Sequence, residues 1–210
     1  MSLTESVRAI DPDDALRSLH ALGEVLRNMR KQCGLTQEAL ASLAGFARTT
    51  VHNVEKTGQD MGYLNMRDWL AASGSDWRAL GEALQQRDPL SSLALVDSGD
   101  VMLAALTFEP LEALGVTVRT YRGMTGLNQE AFGHRCRLER SHFRTIERGG
   151  RSPRFTTLRR IVDQLPVDWR GFFHFVHRLD PIVRRPLRGN GTPLDRAATP
   201  ATNRVRLTTQ

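Results

Sequence analysis

Apolar residues recur along this chain at the spacing of short helices. Leu22, Val25, Leu26 and Met29 fall three and four positions apart, as on one face of an α-helix, and Gly34 follows as a residue suited to end it. A second segment, QEALASLA, opens behind Thr36, a good N-cap type, and is only about two turns long. Gly45 can then take the positive φ of a tight turn. Val51 and Val54 give a third segment its inward stripe, and Gly58 closes it. The same order returns later. Asn128 precedes QEAFGHRC, Phe143 and Ile146 stand for the two valines, and Gly149-Gly150 close the helix. Pro153 begins a further section in which Phe155, Leu158, Ile161 and Val162 trace another apolar face. The pattern predicts a helix, a short helix, a turn, a helix and a supporting helix, all of it α.

The return is an internal duplication. GLTQEAL at residues 34–40 reappears as GLNQEAF at 126–132, an offset of 126 − 34 = 92. Laying residues 19–80 over 111–172 without a gap puts Leu19, Ala21, Leu22 and Gly23 on Leu111, Ala113, Leu114 and Gly115. Arg27 and Arg30 meet Arg119 and Arg122, Arg48 meets Arg140, Glu55 meets Glu147, and Gly58 meets Gly150. The overlay closes with Asp76-Trp77-Arg78 on Asp168-Trp169-Arg170. A rare tryptophan triplet in register this far from the first match identifies two copies of one module. The expected organisation is a flexible N-terminus over 1–14, a first module over 15–86, an apolar connector over 87–106, a second module over 107–180 and a tail over 181–210.

Charge separates the copies. The chain of 210 residues carries a formal net charge of +6. Residues 1–100 hold 10 Lys+Arg against 14 Asp+Glu, while residues 101–210 hold 19 against 9. A basic second half suggests an acidic partner such as nucleic acid. No apolar run reaches the length of a membrane span, and MSLTESVRAIDPDD has no apolar core of a secretory signal. Cys33 and Cys136 show no disulfide or zinc spacing. A reducing bacterial cytoplasm, with the protein on the nucleoid, is the expected location.

Both copies resemble the lambda-repressor-like, Xre-type helix-turn-helix domain of bacterial and phage regulators. The second carries the fuller signature, GLNQEAFGHRCRLERSHFRTIERGGRSPRFTTLRRI, from Gln129 through Ile146-Glu147-Arg148-Gly149 to Ser152-Pro153 and Leu158. The resemblance implies an all-α fold of two such domains and assigns roles to the residues. Gln37 and Gln129, at the start of each second helix, would hold a DNA phosphate. The first exposed turns of each third helix would read base edges in the major groove of an operator. They carry Arg48, Thr49, Thr50, His52 and Asn53 in one copy, and Arg140, Ser141, His142, Arg144 and Thr145 in the other. Lys56, Arg148, Arg151 and Arg154 would reach phosphates beyond. Arg30 with Glu55, and Arg122 with Glu147, would form structural ion pairs that fix the angle between helices.

Some positions depart from the family pattern. Arg137 stands where the first copy has the turn glycine Gly45, and Ala47 and Glu139 stand where a Ser or Thr cap usually precedes the third helix. The connector RDPLSSLALVDSGDVMLAALTFEP is too apolar for a free linker. Its Leu93, Leu95, Val96, Val101, Leu103 and Leu106 are expected to be buried, in a hairpin around Asp97-Ser98-Gly99-Asp100 or in helical turns, against the two copies or in a dimer contact. Phe172, Phe173, Phe175 and Val176 read mainly as core. The tail, rich in Pro, Thr, Gly and Arg, is expected to be disordered when free, with Arg184, Arg185 and Arg188 placed either to enter a minor groove or to solubilise. His134, Cys136, His142, His174 and His177 match no zinc pattern, and no metal or cofactor is expected. Nor does any glycine loop, nucleophile elbow or carboxylate cluster suggest an enzyme.

The expected activity is that of a sequence-specific DNA-binding regulator, acting as a repressor, with operator DNA as partner. A homodimer and a contact with RNA polymerase or another protein stay open as further partners. The rival reading is a protein-binding adapter or anti-activator whose first module no longer binds DNA.

Overall fold

The computed structural model describes residues 12–90 and 108–182. The expectations for residues 1–11, for connector positions 91–106 and for tail positions 183–210 lie outside them. Among the described residues there are ten helices and no strand, five helices to each copy. The first copy is α1 (Pro12–Gln32), α2 (Gln37–Ala44), α3 (Arg48–Thr57), α4 (Tyr63–Ala72) and α5 (Trp77–Arg87). The second is α6 (Pro110–Met124), α7 (Gln129–Arg135), α8 (Arg140–Glu147), α9 (Phe155–Val162) and α10 (Trp169–Leu179). Two expected boundaries move. The N-terminus expected to be flexible through residue 14 is helical from residue 12, with Asp13 and Asp14 in the first turn, where the helix dipole favours acid. Arg87, expected in the connector, closes α5.

Local chemistry sets the helix starts. Thr36 Oγ1 accepts from the Ala39 N–H and Asn128 Oδ1 from that of Ala131, so α2 and α7 are capped alike. The repeated Asp-Trp-Arg triplet acquires a physical reason. Asp76 and Asp168 cap α5 and α10 through the N–H groups of Ala79 and Gly171, at 3.0 and 2.9 Å. The tryptophan that follows each cap is fully buried.

The turn between the second and third helices keeps a left-handed residue in both copies. Gly45 has φ 74°, and Arg137, at the equivalent position, has φ 55°. For a residue with a Cβ this conformation costs roughly 1–2 kcal/mol. The second copy restrains it from outside the turn. Arg160 on α9 donates to the Cys136 carbonyl at 3.0 Å and also to the Arg137 carbonyl. The first copy has Asp68 at that place and a glycine that needs no such clamp.

Each copy buries its own small core. Leu22, Leu26, Leu40, Val51, Val54 and Leu70 are fully buried in the first, and Leu114, Val118, Phe132, Phe143, Ile146 and Val162 in the second. The apolar stripe of the last helix is buried too: Phe172, Phe173, Phe175 and Val176. Phe173, however, belongs to the contact between the copies. It stacks on Trp77 of the first copy, with ring centroids 5.3 Å apart.

That contact has local two-fold symmetry. Gly62 and Arg154, equivalent under the 92-residue repeat, form an isolated antiparallel bridge. The Tyr63 N–H donates to the Pro153 carbonyl and the Phe155 N–H to the Met61 carbonyl, both at 2.9 Å, and the repeat exchanges one bond for the other. Two ion pairs obey the same exchange. Arg67 meets Asp180 at 2.8 Å, and Arg159 meets Asp88 at 2.9 Å. The indole of Trp77 donates to the Asp180 carboxylate and that of Trp169 to the Asp88 carbonyl, each at 3.2 Å. Each copy also caps a helix of the other: Asp60 receives the N–H of Thr156 on α9, and the Ser152 hydroxyl receives that of Leu64 on α4. A ladder of parallel rings, Tyr63, Trp77, Phe173, Trp169 and Phe155, runs through the middle. Rings stacked at these distances add about 0.5–1.5 kcal/mol per pair beyond the area they bury.

Candidate nucleic-acid interface

Three polar side chains hold each third helix in place. In the first copy Arg30 Nη2 donates to Glu55 Oε2 at 2.8 Å and another guanidinium nitrogen donates to the Leu35 carbonyl. Gln37 Nε2 donates to the same Glu55 oxygen at 2.8 Å. In the second copy Arg122 Nε meets Glu147 Oε1 at 2.6 Å, Arg122 Nη1 meets the Leu127 carbonyl at 2.6 Å, and Gln129 Nε2 meets Glu147 Oε2 at 2.6 Å. The side chains of Glu55 and Glu147 are 2% and 0% exposed, so both carboxylates sit in a dry site with their charges matched. Burial alone would raise the Glu55 carboxyl. Hydrogen bonds from Arg30 and Gln37, with the charges of Arg30 and Arg27, hold it below its ordinary value instead. The arrangement ties the end of α1 to the start of α2 and the end of α3, and likewise α6 to α7 and α8.

This geometry changes the part played by Gln37 and Gln129. Sequence reasoning turned their amides toward a phosphate, whereas the structure turns the amide nitrogens inward onto glutamate. In the first turn of each of these helices one N–H is taken by the cap, Ala39 by Thr36 and Ala131 by Asn128.

Burial sorts each third helix into two faces. On α3, Val51, Val54 and Glu55 are buried, while Arg48, Thr49, His52, Asn53 and Lys56 are exposed and Thr50 is half-buried. On α8, Phe143, Ile146 and Glu147 are buried, while Arg140, Ser141, Arg144 and Thr145 are exposed, with Arg148 just beyond the helix and His142 half-buried. The structure therefore brings the residues expected to read bases onto one outward face per copy, except Thr50 and His142, which are half-buried. Neither helix has a side-chain cap at Ala47 or Glu139.

Individual partners refine the picture. Arg140 lies 3.2 Å from Glu130, but both side chains are about two-thirds exposed, at 67% and 69%. An exposed pair of this kind contributes roughly 0–1 kcal/mol and yields readily to a phosphate or a base. The Thr145 hydroxyl donates to the Ser141 carbonyl at 2.8 Å. His142 is held below the ordinary histidine range by burial and by the charges of Arg151 and Arg160, which makes it a neutral hydrogen-bonding group near neutral pH. Arg151 is exposed. Arg154 is exposed as well, but it donates to the Asp60 carbonyl at 2.8 Å and so belongs to the contact between copies.

The windows around the two faces differ in charge, even with Arg154 and Arg159 of the second engaged in the junction. Residues 128–160 contain nine Arg and three Glu, whereas the equivalent residues 36–68 contain three basic and four acidic side chains. Sequence reasoning missed Arg67, Arg159, Asp88 and Asp180, which join the copies. A signal was present, because both Arg and both Asp stand 92 apart, each Asp followed by proline. Among the described residues no helix is long and apolar enough to cross a membrane.

The model of the helix-turn-helix domain family matches the chain twice, over residues 21–90 and 113–168. No curated protein and no solved structure matches it.

Proposed function

The chain belongs to the helix-turn-helix domain family, and on that premise we propose that it is a sequence-specific transcriptional regulator that reads operator DNA with both modules. Repression by covering a promoter is the output assigned to it. The observation that carries this reading is the pair of outward faces on α3 and α8, in modules that a local two-fold relates. Duplex DNA has two-fold axes of its own. Two reading helices related by such an axis fit major-groove segments about 34 Å apart on one side of the duplex.

The residues suit the task. Arg140 and Arg144 match the acceptors of guanine, Asn53 matches adenine, and Thr49, Thr50 and Thr145 offer methyl contacts to thymine. Arg148, Arg151 and Lys56 are placed for phosphates, with the N-termini of α2 and α7 beside them. Because Arg48-Thr49-Thr50-Val51-His52 and Arg140-Ser141-His142-Phe143-Arg144 differ, the two half-sites differ as well. Such a protein works on the bacterial nucleoid, in the cytoplasm.

The mixed, slightly acidic window of the first copy favours a second reading, in which that module holds a protein partner and only the second touches DNA. Selection from random duplex DNA at near-physiological salt tests both. Recovery of two unlike half-sites at one spacing is the expected result. A single half-site leaves DNA to the second copy, and no enrichment moves the whole protein to the adapter reading.

A further inference from the structure

The contact between the copies is symmetric in its backbone bridge and its ion pairs but not in its packing. Positions 81 and 173 are equivalent under the repeat, yet one is glycine and the other phenylalanine. A Cβ at Gly81 would stand 2.7 Å from the Trp169 carbonyl oxygen and 3.1 Å from the Phe173 Cβ, so the α10 backbone lies directly on that point of α5. Phe173 fills the space between both tryptophans. Its ring is 5.3 Å from Trp77 and 5.6 Å from Trp169, with planes within 2° and 14° of parallel. One ring serves both halves of the site.

Two chains could meet through the same faces in other combinations. First copy against first copy sets Gly81 against Gly81 and empties the space that the ring occupies. Second copy against second copy sets Phe173 against Phe173, where even one added Cβ already meets backbone. The ion pairs do not discriminate, because Arg67 and Arg159 are both arginine and Asp88 and Asp180 both aspartate. All three combinations could form them. The Gly81–Phe173 pair, a glycine against a phenylalanine at the centre of the contact, is the largest difference between the combinations.

We propose that this pair restricts the α5–α10 contact to one first-copy module with one second-copy module, so that a single chain supplies both reading helices as a monomer. The surface through which like modules could pair is already occupied within the chain. This inference stands on the junction and not on DNA recognition, so it can fail while the regulator reading survives, and the reverse.

Sedimentation of the full chain, from micromolar up to the highest soluble concentration, reads the mass directly. The expected value is 23.5 kDa throughout. Twice that mass overturns the proposal, whether it arises from like pairing or from exchange of modules between chains. Variants then test the selecting pair. Gly81→Phe should lower the urea midpoint and give a mass that rises with concentration, as the parted aromatic faces associate. Adding Phe173→Gly moves the single ring to the other copy, and local symmetry gives it the same slot between the tryptophans. The double variant should return toward the wild-type midpoint and mass. If Gly81→Phe does not accumulate as folded protein, Phe173→Gly takes its place in the comparison. A double variant no more stable than the single one means that the pair does not select, and the proposal falls.

Discussion

Arg30, Glu55 and Gln37 in the first copy make the contacts that Arg122, Glu147 and Gln129 make in the second. The helices held by those contacts show different chemistry to the outside. The second copy surrounds α8 with arginine, while the first offers a mixed and slightly acidic window. Even the turn between α7 and α8 carries an arginine in a left-handed conformation where the first copy has glycine. The comparison teaches that the scaffold of a duplicated reading head and its surface answer to separate constraints. The buried triad must keep charge and geometry matched, because an unmatched charge in a dry site is costly. The exposed face carries no such penalty and can diverge.

Charge reversal on the outward faces of α8 and α3 has the largest expected effect. Arg140→Glu with Arg144→Glu should remove specific binding to a selected duplex. Two lost base contacts are worth about 2–6 kcal/mol, before the added repulsion is counted. Arg48→Glu in the first copy should weaken binding by roughly tenfold. Fluorescence anisotropy measures both. Equal losses would show that the copies share the work, and no loss from Arg48→Glu would take the first copy off DNA.

Next come the triads, where the copies should behave alike. Glu147→Ala and Glu55→Ala each strand a guanidinium in a dry site and should each cost about 3–5 kcal/mol in a urea unfolding series. A melting point unchanged by Glu147→Ala would remove its structural assignment.

Smaller effects sharpen the differences. Arg137→Gly copies the turn of the first module into the second and should stabilise the protein by about 1 kcal/mol, while Gly45→Arg should cost a similar amount, since the first copy lacks the Arg160 clamp. A drop in stability for Arg137→Gly would mean that the turn is not strained.

The smallest effect is a pH dependence confined to the second copy. The folded state holds His142 below its ordinary value of 6.5, so the unfolded chain takes up the proton first. The stabilisation from His142 is present above that pH and is lost as the pH falls through 6.5 toward the depressed value. His142→Thr, the residue type of the first copy, should make that limb of a urea-midpoint profile shallower, leaving the part that His177, also held low by burial, contributes. An unaltered limb would place the titration elsewhere.

Much of the fold was legible because it is local. Thr36, Asn128, Gly45 and the stripes of Val51, Val54, Phe143 and Ile146 act within a turn or two of the chain, and pattern reasoning reaches that far. The third helices and their inward stripes followed from the same periodicity, while the roles of their outward residues came from the family resemblance. The inward turn of the Gln37 and Gln129 amides did not, because it depends on where a glutamate on another helix lies. The cross-capping by Asp60 and Ser152 was hidden for the same reason: the helix that each one caps belongs to the other copy.

By itself the sequence determined that there are two copies, that each is a set of short helices, and that the second is the basic one. Repeat spacing, helical period and charge are properties of the string, so they need no coordinates. Only the tertiary structure decided how the copies meet. The Asp-Trp-Arg repeat told of duplication but not that its tryptophans would share one phenylalanine across a local two-fold. Packing between distant segments depends on shape at a single point, and Gly81 and Phe173 are complementary only once the chain has brought α5 onto α10.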